Sequence, residues 1–392
     1  MSEWKETEFG KIPIEWDLKR IIDLKSSDKS AIAMGPFGSN IKAENFVSSG
    51  VPVIRGTNLN FDKYVGGEFV FLNEEKADEL KGSNCRPGDL VFTHRGTIGQ
   101  VGIIPKNKYS RYVISQSGMK LTVDETKINN EFLFYFFKST AGQYQLLKNE
   151  AQVGVPSISN PLTTLKELEI PIPPLSEQIQ TASILSSLDD KIDLLHRQNK
   201  TLEQIAETLF RQWFVEEAEE SWKSGKLGDV LELIYGKALK EEVRTGKGFP
   251  VVGSSGIVGY NSEYLVEAPG IVIGRKGTLG KVIYLFENFF PIDTTYFVKS
   301  KNNSVGLFYE YFLLKTLNFV EMNSDSAVPG LNRDIALSTE IKIPSEKTIS
   351  EFNEHSDSIF VKIKKNVNQI SSLTQLRDTL LSKLMSGEVR VK

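Results

Sequence analysis

The chain repeats itself. Gly96-Thr97-Ile98-Gly99 returns as Gly277-Thr278-Leu279-Gly280, and Val155-Pro156-Ser157-Ile158 returns as Val328-Pro329-Gly330-Leu331. Ile172-Pro173, before a long helical stretch, returns as Ile343-Pro344 before another. A sequence that carries one pattern twice must fold as two similar modules, a pseudo-dimer within one polypeptide. Pseudo-dimers suit targets with two half-sites, of which DNA is the commonest. The offsets show where the copies differ. Trp16 and Trp222 are 206 residues apart, the glycine turns 181, the Val-Pro pairs 173 and the Ile-Pro pairs 171. Insertions therefore fall in the globular parts, about 25 residues before the glycine turn and about 10 after it, while the helical stretches align without a gap.

With 392 residues the chain is long enough for two or three domains with their own cores. It is 40% hydrophobic and 25% charged, ordinary values for a soluble folded protein. No apolar run approaches the roughly 18 residues of a membrane span, and the acidic, polar start does not read as a signal peptide. The single Cys85 has no internal partner for a disulfide and fits a reducing cytoplasm. A net charge of −3 is unlike that of a basic DNA binder, but the charge is unevenly spread. Residues 1–175 hold 21 basic and 21 acidic side chains, 176–220 hold 4 and 10, 221–344 hold 14 and 13, and 345–392 hold 8 and 6. The globular parts are close to neutral, so any DNA-facing surface on them is a local patch.

Each globular part reads as mixed α and β around a twisted sheet. Val51–Gly56 and Asp89–Phe92 are short β-prone runs bounded by Gly, Pro and Asn, and their partners are Phe249–Gly253 and Gly270–Gly274. An aromatic helix follows in each copy, over Glu131–Ser139 and Leu307–Thr316. The first long helix is expected to begin near Ser176, an N-cap with Glu177 in the first turn, because Pro171, Pro173 and Pro174 cannot extend it backwards. Leu185, Leu188, Ile192, Leu195, Asn199, Leu202, Ala206, Leu209 and Trp213 then alternate by three and four, a heptad seam. The second helix carries Ile359, Ile363, Asn366, Ile370, Leu373, Leu380 and Leu384 at the same phase. Two arrangements satisfy such faces: each helix lies flat on its own module, or the two pair antiparallel. Antiparallel pairing lets Asn199 and Asn366 face each other and fix the register.

The search for catalytic groups returns little. His94, His196 and His355 are not at metal-ligand spacing, and Cys85 has no companion thiol, so no zinc site is expected. Gly274–Lys281 has five residues between its glycines where a phosphate loop needs four, and Val282 stands where Ser or Thr belongs. There is no Gly-x-Gly-x-x-Gly, and no Asn-Pro-Pro-aromatic or Asp-Pro-Pro-aromatic tetrapeptide of the kind that amino-methylating DNA enzymes use to hold a flipped base. Pro291-Ile292-Asp293 with Lys299 reads as a strand start rather than a nuclease cluster.

Recognition chemistry is easier to find. The glycine turn is preceded by His94-Arg95 in one copy and Arg275-Lys276 in the other. Glycines let a backbone approach another surface closely, and flanking cations meet phosphates or guanine edges, with Thr97 and Thr278 able to bond either. A β-hairpin with solvated charges gives the same pattern. Arg55 and Asn58 lie in a loop and suit guanine and adenine. Ser254 and Ser255 hold the matching place in the second copy, and Gln116 and Thr294 are further candidates. Gly35–Ser39 reads as a turn that anchors its loop through Phe37.

Together these features resemble the DNA specificity subunit of type I restriction–modification systems. The carrying segments are Gly10–Trp16, Gly35–Ser39, Val51–Gly56, Arg95–Gly99, Ile170–Gln178, Gly253–Tyr260 and Leu380–Arg390, which span nearly the whole chain. The second copy departs at Ile343–Lys347, where the Pro-Leu-Ser-Glu-Gln pattern is eroded. The resemblance implies an α+β chain divided into a first target-recognition domain (1–175), a spacer helix (176–215), a second target-recognition domain (216–344) and a second spacer helix with a tail (345–392). Each domain would read half of an asymmetric bipartite site in double-stranded DNA. The helices would form an antiparallel coiled coil that sets the gap and docks two modification (methyltransferase) subunits. Motor and nuclease restriction subunits would join for cleavage. No cofactor belongs to this chain; S-adenosylmethionine, ATP and Mg are expected in the partner subunits. Two other readings stay open on the residues alone: a self-contained DNA-modifying enzyme, and a protein-interaction scaffold that does not read DNA.

Overall fold

The computed structural model describes residues 3–59, 63–151, 154–302, 306–319, 321–322 and 330–391. The repeated Val328-Pro329 lies outside them. The chain forms two compact units, one of residues 1–193 with 371–392 and one of residues 194–370. The boundary therefore falls inside both long helices, Leu175–Arg211 and Glu346–Ser386, rather than between helices and globular parts.

The duplication is visible in the topology of each unit. In the first, an antiparallel four-stranded sheet runs in the order Val101–Ile103, Leu90–Thr93, Gly118–Leu121, Ile32–Met34. In the second, the same order is kept by Val282–Leu285, Gly270–Gly274, Thr295–Ser300, Leu231–Tyr235. A second sheet repeats as well. Val51–Ile54 pairs antiparallel with Val70–Leu72 and parallel with Tyr112–Ile114. Phe249–Gly253 pairs antiparallel with Gly256–Asn261 and parallel with Phe290–Pro291. Inserted pieces distinguish the first unit, among them the edge strands Phe46–Val47 and Asn84–Cys85 and the helix Glu74–Glu79.

Each core is organised by its aromatic helix. In Asn130–Lys138 all of Phe132, Leu133, Phe134, Tyr135, Phe136 and Phe137 are buried. A helix apolar on every side must be covered on every side. It is capped by Asn129, whose side chain accepts from the Phe132 amide at 2.9 Å. At about 1.5–3 kcal/mol per fully buried large apolar side chain, this one short helix outweighs any surface ion pair in its unit. Phe308–Thr316 plays the same part in the second unit. There Glu310 is wholly buried, and Asn302 Nδ2 donates to its Oε1 at 3.2 Å while Ser300 Oγ donates to the same oxygen.

The first long helix starts at Leu175, one residue before the expected cap. It closes with a short π-helical stretch over Gln212–Glu216. The second helix is capped by Ser345, whose Oγ accepts from the Thr348 amide at 3.1 Å. In the first unit Ala182 and Leu185 pack with Leu384 and Met385, and Asp189 pairs with Arg377 at 2.9 Å. In the second, Asn199 meets Asn366 and Phe210 meets Phe352 with ring centroids 5.6 Å apart. Rising positions on one helix meet falling positions on the other, so the pairing is antiparallel in both units. The helices also serve their modules: Tyr135 donates to Asp189 at 2.7 Å, and Tyr311 and Lys315 bind Glu203. The two arrangements weighed from the sequence thus coexist. All the expected seam residues, Leu188, Ile192, Leu195, Asn199, Leu202 and Leu209 on one helix and Ile359, Ile363, Asn366, Ile370, Leu373 and Leu380 on the other, are buried or half-buried. The pattern missed Phe210, Phe352 and Phe360, buried aromatics on the seam flank that packs on the second module.

Asn366 is buried and its Nδ2 donates to Asn199 Oδ1 at 2.8 Å and Gln198 Oε1 at 2.9 Å. Asn366→Ala should cost about 1–3 kcal/mol in urea unfolding, whereas the double change Asn199→Leu/Asn366→Leu should raise the midpoint above wild type. The glycine turns give a second test. Gly96 and Gly280 both have positive φ, +83° and +68°, but a Cβ at Gly96 meets nothing within 4 Å while one at Gly280 lies 2.7 Å from Phe319 Cβ. Gly96→Ala should cost about 1–2 kcal/mol of backbone strain, and Gly280→Ala clearly more, in the same unfolding assay.

Candidate nucleic-acid interface

In each unit four chain segments meet at one end of the sheets, and main-chain hydrogen bonds hold them. In the first unit Gly35 N donates to Gly118 O at 2.9 Å, Ser115 N to Ile54 O at 2.8 Å and His94 N to Ser117 O at 2.9 Å. In the second, Gly236 N donates to Thr295 O at 3.1 Å, Ile292 N to Val252 O at 3.0 Å and Arg275 N to Thr294 O at 2.9 Å. The repeated Gly-Thr-(Ile/Leu)-Gly segments are the hairpin turns at the centre of these clusters, between Leu90–Thr93 and Val101–Ile103 and between Gly270–Gly274 and Val282–Leu285. All four of their glycines have φ between +68° and +83°. An L side chain resists that region, which is why the turn returns with its glycines intact.

The Val-Pro segments recur for a related reason. Arg95 forms a lone antiparallel bridge with Ser157, and Lys276 forms one with Gly330. Ile158 N donates to His94 O at 2.9 Å, and Leu331 N to Arg275 O at 3.0 Å. Each turn is thus tied from behind by the segment that repeats with it.

On this shared frame the side chains differ. Arg55, Arg95, Thr97 and Gln116 are exposed in the first unit, and Ser255, Lys276 and Thr278 in the second. Ser254, Arg275 and Thr294 are half-buried. The frame matches Arg55 with Gly253, His94 with Arg275, Arg95 with Lys276, Gln116 with Asp293 and Met34 with Tyr235.

Two expected contacts do not reach the surface. Asn58 is 1% exposed. Its Oδ1 accepts from Arg55 N at 2.9 Å, and its Nδ2 donates to Gly66 O and Glu68 O at 2.9 and 2.8 Å. The amide is spent on shaping the Arg55 loop and has nothing left for a base edge. His94 is 7% exposed, with Nε2 3.1 Å from Gln116 O. Burial lowers its pKa below the usual imidazole value, so it is a neutral strut between two loops rather than a surface cation. Phe37 is corrected in the opposite sense: at 77% exposed it anchors nothing. Its loop is placed instead by Gly35 and Gly38, where an added Cβ would fall 1.8 Å from Ser115 O and 2.7 Å from Gln116 Oε1.

Sequence reasoning missed Tyr235, Tyr296 and Arg333. Tyr235 is exposed at the strand end that corresponds to Met34-Gly35, and Arg275 and Arg333 both lie over its ring. The signal was the Tyr235-Gly236 step, which becomes comparable with Met34-Gly35 only once the strand pairing is known. Tyr296 is buried and its hydroxyl donates to Leu331 O at 3.0 Å. Burial pushes its pKa up to about 12, so it stays a donor. A groove of about 330 Å³ runs beside the first turn, lined by Leu59, Thr97, Gln100 and Gln143 among others. Among the described residues no cluster of His, Cys, Asp or Glu can hold a metal ion, and no helix is long and apolar enough to cross a membrane.

The arrangement is one of presentation: exposed cations and hydroxyls on rigid turns. Comparison with known proteins agrees with the duplication. Residues 36–204 and residues 219–375 each match the type I restriction modification DNA specificity domain. The MjaIX type I restriction enzyme specificity subunit of Methanocaldococcus jannaschii is 26% identical over all of this chain and 97% of its own length. The MjaVIII specificity subunit of the same organism is 27% identical over 52% of this chain and 46% of its own length. The crystal structure of a type I restriction–modification S subunit from M. genitalium shares the fold, with a TM-score of 0.58 at 22% identity over 94% of this chain and 96% of that one. Two specificity domains in one polypeptide, built on one topology and each joined to a long helix, place this chain in the family of type I restriction–modification specificity subunits.

Proposed function

We propose that this chain is the sequence-reading subunit of a type I restriction–modification complex, each domain reading one half of an asymmetric bipartite site in double-stranded DNA. One observation carries the reading: the same backbone frame occurs twice and presents different side chains at matched positions. Arg95 and Lys276 stand at equivalent places on the two turns, while Arg55 is matched by Gly253 and Gln116 by Asp293. A common frame with different tips suits two half-sites that differ in sequence.

The long helices set the gap between half-sites and dock two modification subunits. Their seam supports the first role, and the exposed Ile179, Ile205, Val361 and Leu376 on their outer surfaces support the second. In this reading S-adenosylmethionine, ATP and Mg belong to the modification and motor subunits, and the assembly works in the cytoplasm.

Arg95→Ala and Lys276→Ala should each weaken duplex binding about tenfold in a gel-shift titration at fixed salt. Unequal loss across sequence variants marks base readout, and equal loss marks phosphate contact. Wild-type affinity in both variants would take these turns out of the interface. Seven residues added to both long helices at paired positions should lengthen the preferred gap between half-sites, read by selection from duplexes of graded spacing. An unchanged gap would remove the helices from that role.

A further inference from the structure

Two cations converge on one phenol ring in the second unit. The guanidinium carbon of Arg275 lies 4.9 Å from the Tyr235 ring centroid, and that of Arg333 lies 5.3 Å from it. Arg275 is also 5.8 Å from the ring of Tyr296, and the two rings meet edge to face at 4.9 Å. One guanidinium donor is already engaged, Nη1 to Asp293 O at 3.1 Å. The main chain is tied at the same point, since Arg275 N donates to Thr294 O and Arg275 O accepts from Leu331 N. The guanidinium is therefore oriented by two rings, a carbonyl and its own fixed backbone.

Such fixation favours a planar, directional partner. An Arg whose fork is pre-organised loses little freedom when it makes two parallel hydrogen bonds, and guanine offers O6 and N7 at that spacing. A backbone phosphate accepts a bidentate fork as well, but the exposed Lys276 beside the half-buried Arg275 supplies a flexible point charge for that contact and leaves the fixed guanidinium to a base edge. Arg333 pairs with its neighbour Asp334 at 3.4 Å and lies over the Tyr235 ring alone, so it adds positive field with less constraint than Arg275. The first unit has no counterpart: the matching positions are Met34 and the buried, neutral His94.

We infer that Arg275, held in place by Tyr235 and Tyr296, reads a guanine in the half-site of the second domain, and that the equivalent place in the first domain makes no such contact. Arg275 is the specificity-determining residue and Tyr235 a positioning residue. The inference rests on the DNA-reading function proposed above.

The test uses the full chain and a library of duplexes randomised over both half-sites, with selected sequences read out for wild type, Arg275→Ala, Arg275→Lys, Tyr235→Phe and Tyr235→Leu. Thermal melting of each variant checks the fold. Wild type should select a guanine in one half-site. Arg275→Ala and Arg275→Lys should lose that preference about tenfold or more while keeping the others, and Lys retains the charge if Ala disturbs folding. Tyr235→Phe should keep the preference and Tyr235→Leu should weaken it. The inference is overturned if Arg275→Ala and Arg275→Lys keep every base preference, or lose affinity equally for all sequences. Equal selection by Tyr235→Leu and wild type would remove the positioning role. No selected sequence from the wild type would defeat DNA reading itself, and this inference with it.

Discussion

The ends of both units that carry the glycine turns depend on hydrogen bonds between main-chain atoms. The bonds from Gly35 and Gly236, from Ser115 and Ile292, and from His94 and Arg275 make no demand on the side chains that project from the same residues. The lone bridges of Arg95 to Ser157 and of Lys276 to Gly330 are of the same kind. A frame built this way is indifferent to what it displays, apart from the glycines that its positive φ values require. That separation lets one topology carry His94 in one copy and Arg275 in the other without altering the turn.

The same separation explains what was legible in the sequence. The glycine turns, the strands beginning at Val51, Leu90, Phe249 and Gly270, the aromatic helices and the long heptad helices are all dictated by local pattern, and all were found within a residue or two. Heptad phase places Asn199 and Asn366 on the seam, antiparallel pairing lets them face each other, and Asn366 Nδ2 donates to Asn199 Oδ1. What failed was the direction of individual side chains in loops. Asn58 looks like a base reader in the sequence because nothing local reveals the carbonyls of Gly66 and Glu68 waiting for its amide. Phe37 looks like an anchor because aromatics usually are, yet its loop is held by glycines that tolerate no Cβ. Tyr235 and Arg333 are 98 residues apart, and no sequence pattern brings them to one ring.

The two units are alike in frame and unlike in polarity at the turn. In the first, a neutral imidazole fills the space between loops and the cations stand outside it, at Arg55 and Arg95. In the second, a guanidinium occupies the place of that imidazole and is stacked on aromatic rings. Chemical difference between the halves is therefore set by strut residues as much as by the exposed tips.

The first unit is completed by residues 371–392, which follow the whole of the second unit in the chain. Leu384 and Met385 belong to its core, Arg377 pairs with Asp189, and Arg390 bridges Glu177 and Glu15. A ribosome translating this message releases the segment that finishes the first unit only after it has made all of the second. The order of synthesis is thus the reverse of the order of completion. Until residues 371–392 have emerged, the nascent first unit lacks the cover that Leu384 and Met385 give Ala182 and Leu185, and the growing chain must keep that apolar strip soluble while the second unit folds.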